Sequence, residues 1–141
     1  MEAFIGKWHT TGKVAAGPDS PGMTVTATDI YEWLPGGYSI IHYVEGNIGD
    51  DKIHSIEIIG YDSLRNAYFA PFFNHQGGAG WEIIRADGKT WTWQGENVMG
   101  VNYHRCRAVF SNDGNTIEAR HERSDDGENW KLWMDVTLVK E

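Results

Sequence analysis

The sequence predicts an all-β domain that closes into an antiparallel, up-and-down barrel of about ten strands, with little or no helix. Runs rich in Trp, Tyr, Ile, Val and Thr alternate with turn residues, and three of the turns are Asp-Gly, a strong hairpin signal. No window keeps the i, i+3, i+4, i+7 apolar spacing of an amphipathic helix. Closure into a barrel is favoured because an open sheet of ten strands would expose its edges.

The segments between the turn residues are the predicted strands. They lie near 5–13, 23–34, 38–46, 53–62, 67–75, 80–86, 89–95, 101–111, 115–124 and 129–140. In the last of them, strict alternation places Leu132, Met134 and Val136 on one face and Trp133 on the other. Residues 15–22 contain two Pro and two Gly, so they are predicted to form a loop and not a helical lid.

Length and charge limit the function classes. A chain of 141 residues has the length of one domain, so residues 1–141 are predicted to form a single barrel. The net charge of −8, without a Lys/Arg cluster, argues against nucleic-acid and anionic-membrane partners. The single Cys excludes an intramolecular disulfide and a cysteine-rich zinc site. With no leader pattern and no apolar run of about 20 residues, we expect a cytoplasmic protein.

Five segments carry a resemblance to a known family. They are Gly6-x-Trp8, residues 31–37 (YEWLPGG), 56–62 (IEIIGYD), 110–114 (FSNDG), and 124–127 (SDDG) leading to 133–137 (WMDVT). In that order they resemble a bacterial family of calycin-type domains of unknown function, whose barrels are similar to those of lipocalins, fatty-acid-binding proteins and nitrobindins. The resemblance implies the barrel fold, with the Trp of Gly-x-Trp plugging a closed end, and it implies no established activity.

The same comparison argues against two ligands. The chain has no room for the paired helical lid of fatty-acid-binding proteins, and its last strand has no Arg-x-Tyr to take a fatty carboxylate. The late strand that carries the haem-ligating His in nitrobindins reads LWMDVT at 132–137, so neither haem nor another cofactor is expected. No metal site is predicted, because no two of the six His are spaced i, i+2 on one strand face.

Three ionisable residues are candidates for the barrel interior. His42 and His121 each lie on an otherwise apolar strand face, which favours an inward position. Glu57 has apolar neighbours on both faces of its strand, and a buried carboxylate needs a partner. Arg105 is the candidate partner because a guanidinium pairs bidentately with a carboxylate, although an ion pair on the outer surface is the favoured alternative for this arginine.

Aromatic residues complete the predicted site. Trp81, Trp91 and Trp93, with Phe69, Phe72 and Phe73 in the strand before, are expected to form a wall on which an apolar ligand could stack. The predicted ligand-binding set is therefore His42, Glu57, Tyr61, Phe73, Trp93, Arg105 and His121.

Three functions remain open from the sequence. The favoured one is a non-catalytic barrel that binds a small, mostly apolar molecule in an internal pocket. The second is an isomerase or cyclase that uses Glu57 or His42 as base, with Arg105 or Tyr61 stabilising the charge of the product. The third is a packed structural barrel that forms a homodimer through exposed aromatic residues such as Trp133.

Overall fold

The computed structural model describes residues 1–98 and 100–141 and contains ten antiparallel strands. They are β1 (Gly6–Val14), β2 (Met23–Trp33), β3 (Ser39–Ile48), β4 (Asp51–Asp62), β5 (Ala67–Asn74), β6 (Ala79–Asp87), β7 (Thr90–Val98), β8 (Val101–Phe110), β9 (Thr116–Ser124) and β10 (Lys131–Lys140). The largest error in a predicted boundary is three residues, at the end of β7. The loop predicted at 15–22 contains one isolated bridge, between Gly17 and Ser20. Within the described residues, no helix is long and apolar enough to span a membrane.

The strands form one closed barrel. Each strand pairs with its neighbours in the chain, and β1 pairs with β10, where Trp8 lies opposite Lys140. The predicted closed, up-and-down topology is thus confirmed. The connections after the odd-numbered strands lie at one end of the barrel, here called the upper end, and both chain termini lie at the lower end.

Aromatic side chains close the lower end. A 3₁₀ turn at Glu2–Phe4 precedes β1 and inserts Phe4, which packs edge-on against Trp91 and Phe110. Trp8 is completely buried and donates its indole N–H to the carbonyl of Phe4 at 2.7 Å. The Lys140 ammonium lies 5.1 Å from the centroid of the Trp8 ring, on the far side of this layer. The 3₁₀ turn escaped prediction because three residues are too few to show a periodicity.

A β-bulge in β10 overturns the predicted orientation of Trp133. The register with β9 shifts between Leu132 and Met134, so the strict alternation is broken at that point. Both Trp133 and Met134 consequently line the barrel interior. Trp133 is therefore not part of an outer face, and the proposed homodimer contact through this residue is wrong.

The predicted aromatic wall is divided between the two faces of the sheet. Successive side chains of a strand point to opposite faces, so neighbouring aromatic residues cannot all point inward. Phe72 and Trp93 line the interior, and Trp91 belongs to the buried core. Phe69, Phe73 and Trp81 lie on the outer surface, with 37%, 51% and 43% of their area exposed.

Candidate functional site

The barrel encloses a cavity of about 440 Å³. Phe4, which belongs to the aromatic layer that closes the barrel, lies at its lower limit. At the upper end its lining includes three exposed residues, Lys52 and His54 at the start of β4 and Gln76 in the β5–β6 connection. Because these exposed residues belong to its lining, the cavity opens to solvent at the upper end. Its deeper wall is mainly apolar.

The first polar cluster in the wall comes from three adjacent strands. Asp29 on β2, His42 on β3 and Glu57 on β4 meet because His42 pairs directly with Glu57 in the register of β3 and β4. His42 Nε2 lies 2.8 Å from Asp29 Oδ1, and His42 Nδ1 lies 3.2 Å from Glu57 Oε2. The Thr10 hydroxyl donates to the second oxygen of Asp29. The Tyr31 ring stacks on the imidazole, with 3.9 Å between the ring centroids.

This arrangement favours the imidazolium form of His42. Burial lowers the pKa of His42, but hydrogen bonds to Asp29 and Glu57 outweigh it and raise that pKa from 6.5 to about 9. Burial raises the pKa of Glu57, and the hydrogen bond from His42 opposes that rise. Both imidazole N–H groups thus donate to carboxylates, and His42 retains no N–H for a ligand.

The second polar cluster lies on β6, β8 and β9. The carboxylate of Glu82 accepts from His104 Nδ1 at 2.6 Å, and both residues are buried. His104 Nε2 lies 3.0 Å from His121 Nδ1, and His121 Nε2 lies 3.7 Å from the Cys106 sulfur. Trp133 packs edge-on against the His104 ring. The result is a continuous hydrogen-bonded row from Glu82 to Cys106.

Burial keeps His121 and Cys106, the last two members of this row, uncharged. Desolvation, followed by the charge of His104, lowers the pKa of His121 to about 3. Desolvation, followed by the charges of Glu82 and Glu57, raises the pKa of the Cys106 thiol. A thiol with a raised pKa is a poor nucleophile, so the row does not form an activated cysteine.

Four of the predicted site residues line the cavity. These are His42, Glu57, Trp93 and His121. The structure brings His42 and Glu57 into direct contact, and it places His121 in the second cluster. The partner of Glu57 is His42 and not Arg105, which forms the outer-surface ion pair that was the favoured alternative for this arginine.

The other three predicted site residues lie outside the barrel. Arg105 forms a surface ion pair with Glu122, at 2.6 Å, and lies over the Trp130 ring. Tyr61 is 54% exposed and donates its hydroxyl to the side chain of Asn66. Phe73 is on the outer surface as described above. These three residues occupy the strand positions that alternate with inward ones, which removes them from the predicted site.

Several residues of the two clusters are absent from the predicted site, namely Thr10, Asp29, Tyr31, Glu82, His104 and Cys106. A signal for His104 was present in β8, where Arg105 and Arg107 share a face. Two arginines on one face indicate the outside of a barrel, so the alternate face with His104 and Cys106 had to be the inside. No comparable signal marked Asp29 or Glu82, which occupy the inner face as acidic residues among apolar ones.

Metal binding finds little support in the arrangement. No group of three or more His, Cys, Asp and Glu side chains within residues 1–98 and 100–141 is placed so that it could hold a metal ion.

Comparisons with known proteins agree with the fold. The family described as "Protein of unknown function (DUF1579)" matches residues 1–140, while no curated protein matches the chain. The crystal structure of Rv2717c from M. tuberculosis is similar at a TM-score of 0.69 and 8% identity, covering 99% of this chain and 93% of that one. A de novo designed fluorescence-activating β-barrel is similar at a TM-score of 0.52 and 11% identity, covering 99% of this chain and 95% of the designed one. At these identities the likeness shows the fold alone, and the calycin resemblance stays a prediction.

Proposed function

The chain belongs to the DUF1579 family, whose description assigns no activity, and from the geometry of its cavity we propose that it is a non-catalytic binding protein for a small, mostly apolar molecule. The single observation that carries the proposal is the internal cavity of about 440 Å³ that reaches solvent at one end. Small-molecule sites have volumes of roughly 300–1,000 Å³ and combine apolar walls with a few polar groups. The cavity matches this description in size and in composition.

The cavity wall supports an apolar ligand body. Aromatic rings from Phe72, Trp93 and Trp133 line the interior, and aliphatic side chains such as Val44 and Leu138 belong to the same wall. Burial of apolar ligand surface against such a wall stabilises a complex by roughly 25 cal/mol per Å² before the costs of association. Affinity is therefore expected to follow the apolar area of the ligand.

The polar groups of the cavity argue against haem and against a fatty carboxylate. Both nitrogens of each imidazole in the two polar clusters, His42, His104 and His121, are engaged in hydrogen bonds, so none of these three is free to ligate iron. Carboxylates line the same space as these imidazoles and would repel an anionic head group. The proposal accordingly includes neither ligand.

The isomerase or cyclase alternative has weaker support. It needs a group that stabilises charge on the product, and the two residues assigned to that task, Arg105 and Tyr61, lie on the outer surface. The assigned bases, His42 and Glu57, are hydrogen-bonded to one another inside the cavity. A binding role requires no group that the cavity lacks.

The proposal is tested by filling the cavity. The neutral probe N-phenyl-1-naphthylamine becomes fluorescent in apolar surroundings, and we expect saturable binding at one site per chain. Ala119→Trp places an indole in the cavity and should abolish this binding. Glu118→Trp adds the same indole at the neighbouring, outward-facing position and should leave binding intact.

Two outcomes would contradict a binding function. One is the absence of saturable fluorescence with the unmodified protein, and the other is equal binding by the two Trp variants. Circular dichroism of both variants establishes that each retains the barrel. Native mass spectrometry of protein purified from its own host provides an independent measurement, because a ligand that co-purifies would appear as a defined mass increment.

A further inference from the structure

Two carboxylate oxygens in the cavity are not committed to the protein's own hydrogen bonds. Glu57 uses Oε2 for His42, and Glu82 uses Oε1 for His104. Glu57 Oε1 and Glu82 Oε2 have no hydrogen-bond partner among the described residues. Among the described residues, every side-chain N or O atom that solvent cannot reach has a hydrogen-bond partner. The two oxygens without a partner are therefore accessible, and they are reached from the cavity that Glu57 and Glu82 line.

The two glutamates approach the same part of the cavity. Glu57 on β4 and Glu82 on β6 are separated only by β5, on which Phe72 lies opposite Glu57 and Ala70 opposite Glu82. Strands two apart in a sheet are about 10 Å from axis to axis, and inward side chains converge from that distance. One small ligand can therefore reach either free oxygen or both.

The cavity wall carries more acidic than basic side chains. Its described lining contains four carboxylates, from Asp29, Asp51, Glu57 and Glu82, against a single lysine, Lys52 at the mouth. The imidazolium of His42 directs both of its N–H groups at carboxylates. A ligand therefore meets charged acceptors in the deep wall, and it meets no uncommitted charged donor there among the described residues.

The environment of the cavity raises the pKa of two weakly acidic side chains, Tyr31 and Cys106. Burial raises the pKa of Tyr31, and the charges of Asp29 and Glu57 raise it further. Burial likewise raises the pKa of the Cys106 thiol, and the charges of Glu82 and Glu57 raise it further. The interior thus resists an additional negative charge at two separate positions.

We propose that the ligand carries a cationic hydrogen-bond donor, such as a primary ammonium group, which binds between the free oxygens of Glu57 and Glu82 while its apolar body contacts the aromatic wall. Hydrogen bonds between charged partners are about twice as strong as neutral ones. Trp93 and Trp133 in the cavity wall suit the same ligand class, because aromatic rings attract cations. This inference rests on the proposed binding function and adds the chemical class of the ligand.

The test uses three probes that share one apolar skeleton and differ in charge. They are 1-naphthylmethylamine, which is cationic at neutral pH, 1-naphthalenemethanol and 1-naphthoate. In calorimetric titrations at pH 7 we expect the amine to bind at least about tenfold more tightly than the alcohol, and the carboxylate to bind weakest.

Variants assign this preference to the two glutamates. In Glu57→Gln and Glu82→Gln the amide oxygen can still accept from the imidazole, but the charge is lost. Each is expected to reduce the affinity ratio of amine to alcohol by about tenfold. Glu118→Gln removes the same charge from the exposed outer face and should leave the ratio unchanged.

The outcomes separate the two proposals. Tightest binding of the carboxylate, or an unchanged ratio in both cavity variants, overturns the cationic ligand class while the binding function stands. Binding of none of the three probes overturns both. If Glu82→Gln fails to fold by circular dichroism, Glu57→Gln alone decides, because a ratio unchanged in that variant contradicts the proposal.

Discussion

His42 makes the stability of the barrel depend on pH at the scale of a single residue. Its pKa rises from 6.5 to about 9 on folding, because the hydrogen bonds to Asp29 and Glu57 outweigh the desolvation of the ring. A raised pKa means that the folded chain binds the proton more tightly than the unfolded chain. The resulting stabilisation is fully present below pH 6.5 and is lost as the pH rises through about 9.

The loss between pH 6.5 and 9 is expected to be about 3 kcal/mol, at about 1.4 kcal/mol per pKa unit. Burial also raises the pKa of Glu57, so stability falls with rising pH from its ordinary value of 4.5 upward. Urea unfolding at a series of pH values measures the free energy of unfolding directly. His42→Gln should flatten this alkaline slope, whatever its effect on absolute stability.

His9→Gln is the matched control for the pH series. His9 is exposed and lies beside Glu141 on the surface, so its removal should leave the alkaline slope as it is in the unmodified protein. A slope that persists in His42→Gln, or that disappears equally in both variants, would show that the buried imidazole is not its source.

The residues of the site differ in how far the sequence could reveal them. His42 stood out because a histidine interrupts the apolar face of Ile40 and Val44, and the structure places all three inside. Arg105 entered the predicted site as the candidate partner of Glu57, although an ion pair on the outer surface was the favoured alternative, and the structure contains that ion pair. Pairing across strands depends on register, which alternation within one strand does not contain.

At the scale of the element, the strands were predictable and their irregularities were not. The runs of β-branched and aromatic residues between Gly-containing turns located all ten strands. The bulge in β10 produces no break in the alternating pattern, because Trp133 and Met134 are both apolar. Its consequence is functional, since it adds Trp133 to the cavity wall beside His104.

Glycine in β7 shows how an element makes room for the site. Gly95 lies opposite Glu82, and a Cβ at position 95 would lie 2.2 Å from the Trp81 carbonyl oxygen and 2.8 Å from Glu82 Cγ. Gly95→Ala should therefore displace β6 and destabilise the barrel by about 1–3 kcal/mol, measured by urea unfolding.

The control for this substitution is Gly17→Ala. A Cβ at position 17 meets no atom within 4 Å, and the backbone there is not left-handed. Its effect should be neutral or slightly stabilising, by less than about 1 kcal/mol. Equal effects of the two substitutions would contradict the steric role assigned to Gly95.

At the scale of the whole molecule, exposed apolar side chains are grouped on one side of the outer surface of the barrel. Ile56 on β4 pairs with Phe73 on β5, and both are exposed. Tyr43 flanks them on β3, and Trp81 lies nearby on β6. Contiguous exposed apolar residues mark interaction surfaces more often than single ones do. This face, here called the β3–β6 face, replaces Trp133 as the candidate surface for homodimer formation.

If the β3–β6 face forms an isologous dimer, analytical ultracentrifugation of the unmodified protein should show a dimer that dissociates on dilution. Phe73→Lys should shift this equilibrium toward the monomer by at least about tenfold in dissociation constant, because it places a charge in the middle of the apolar contact. The substitution also makes the net charge of −8 less negative, so overall repulsion cannot account for a loss of association.

Tyr38→Lys makes the same change of charge at an 86% exposed ring in the β2–β3 connection and should leave the dimer intact. A monomeric unmodified protein, or equal dissociation in both variants, would contradict a dimer on this face without affecting the cavity, which lies on the opposite side of the sheet.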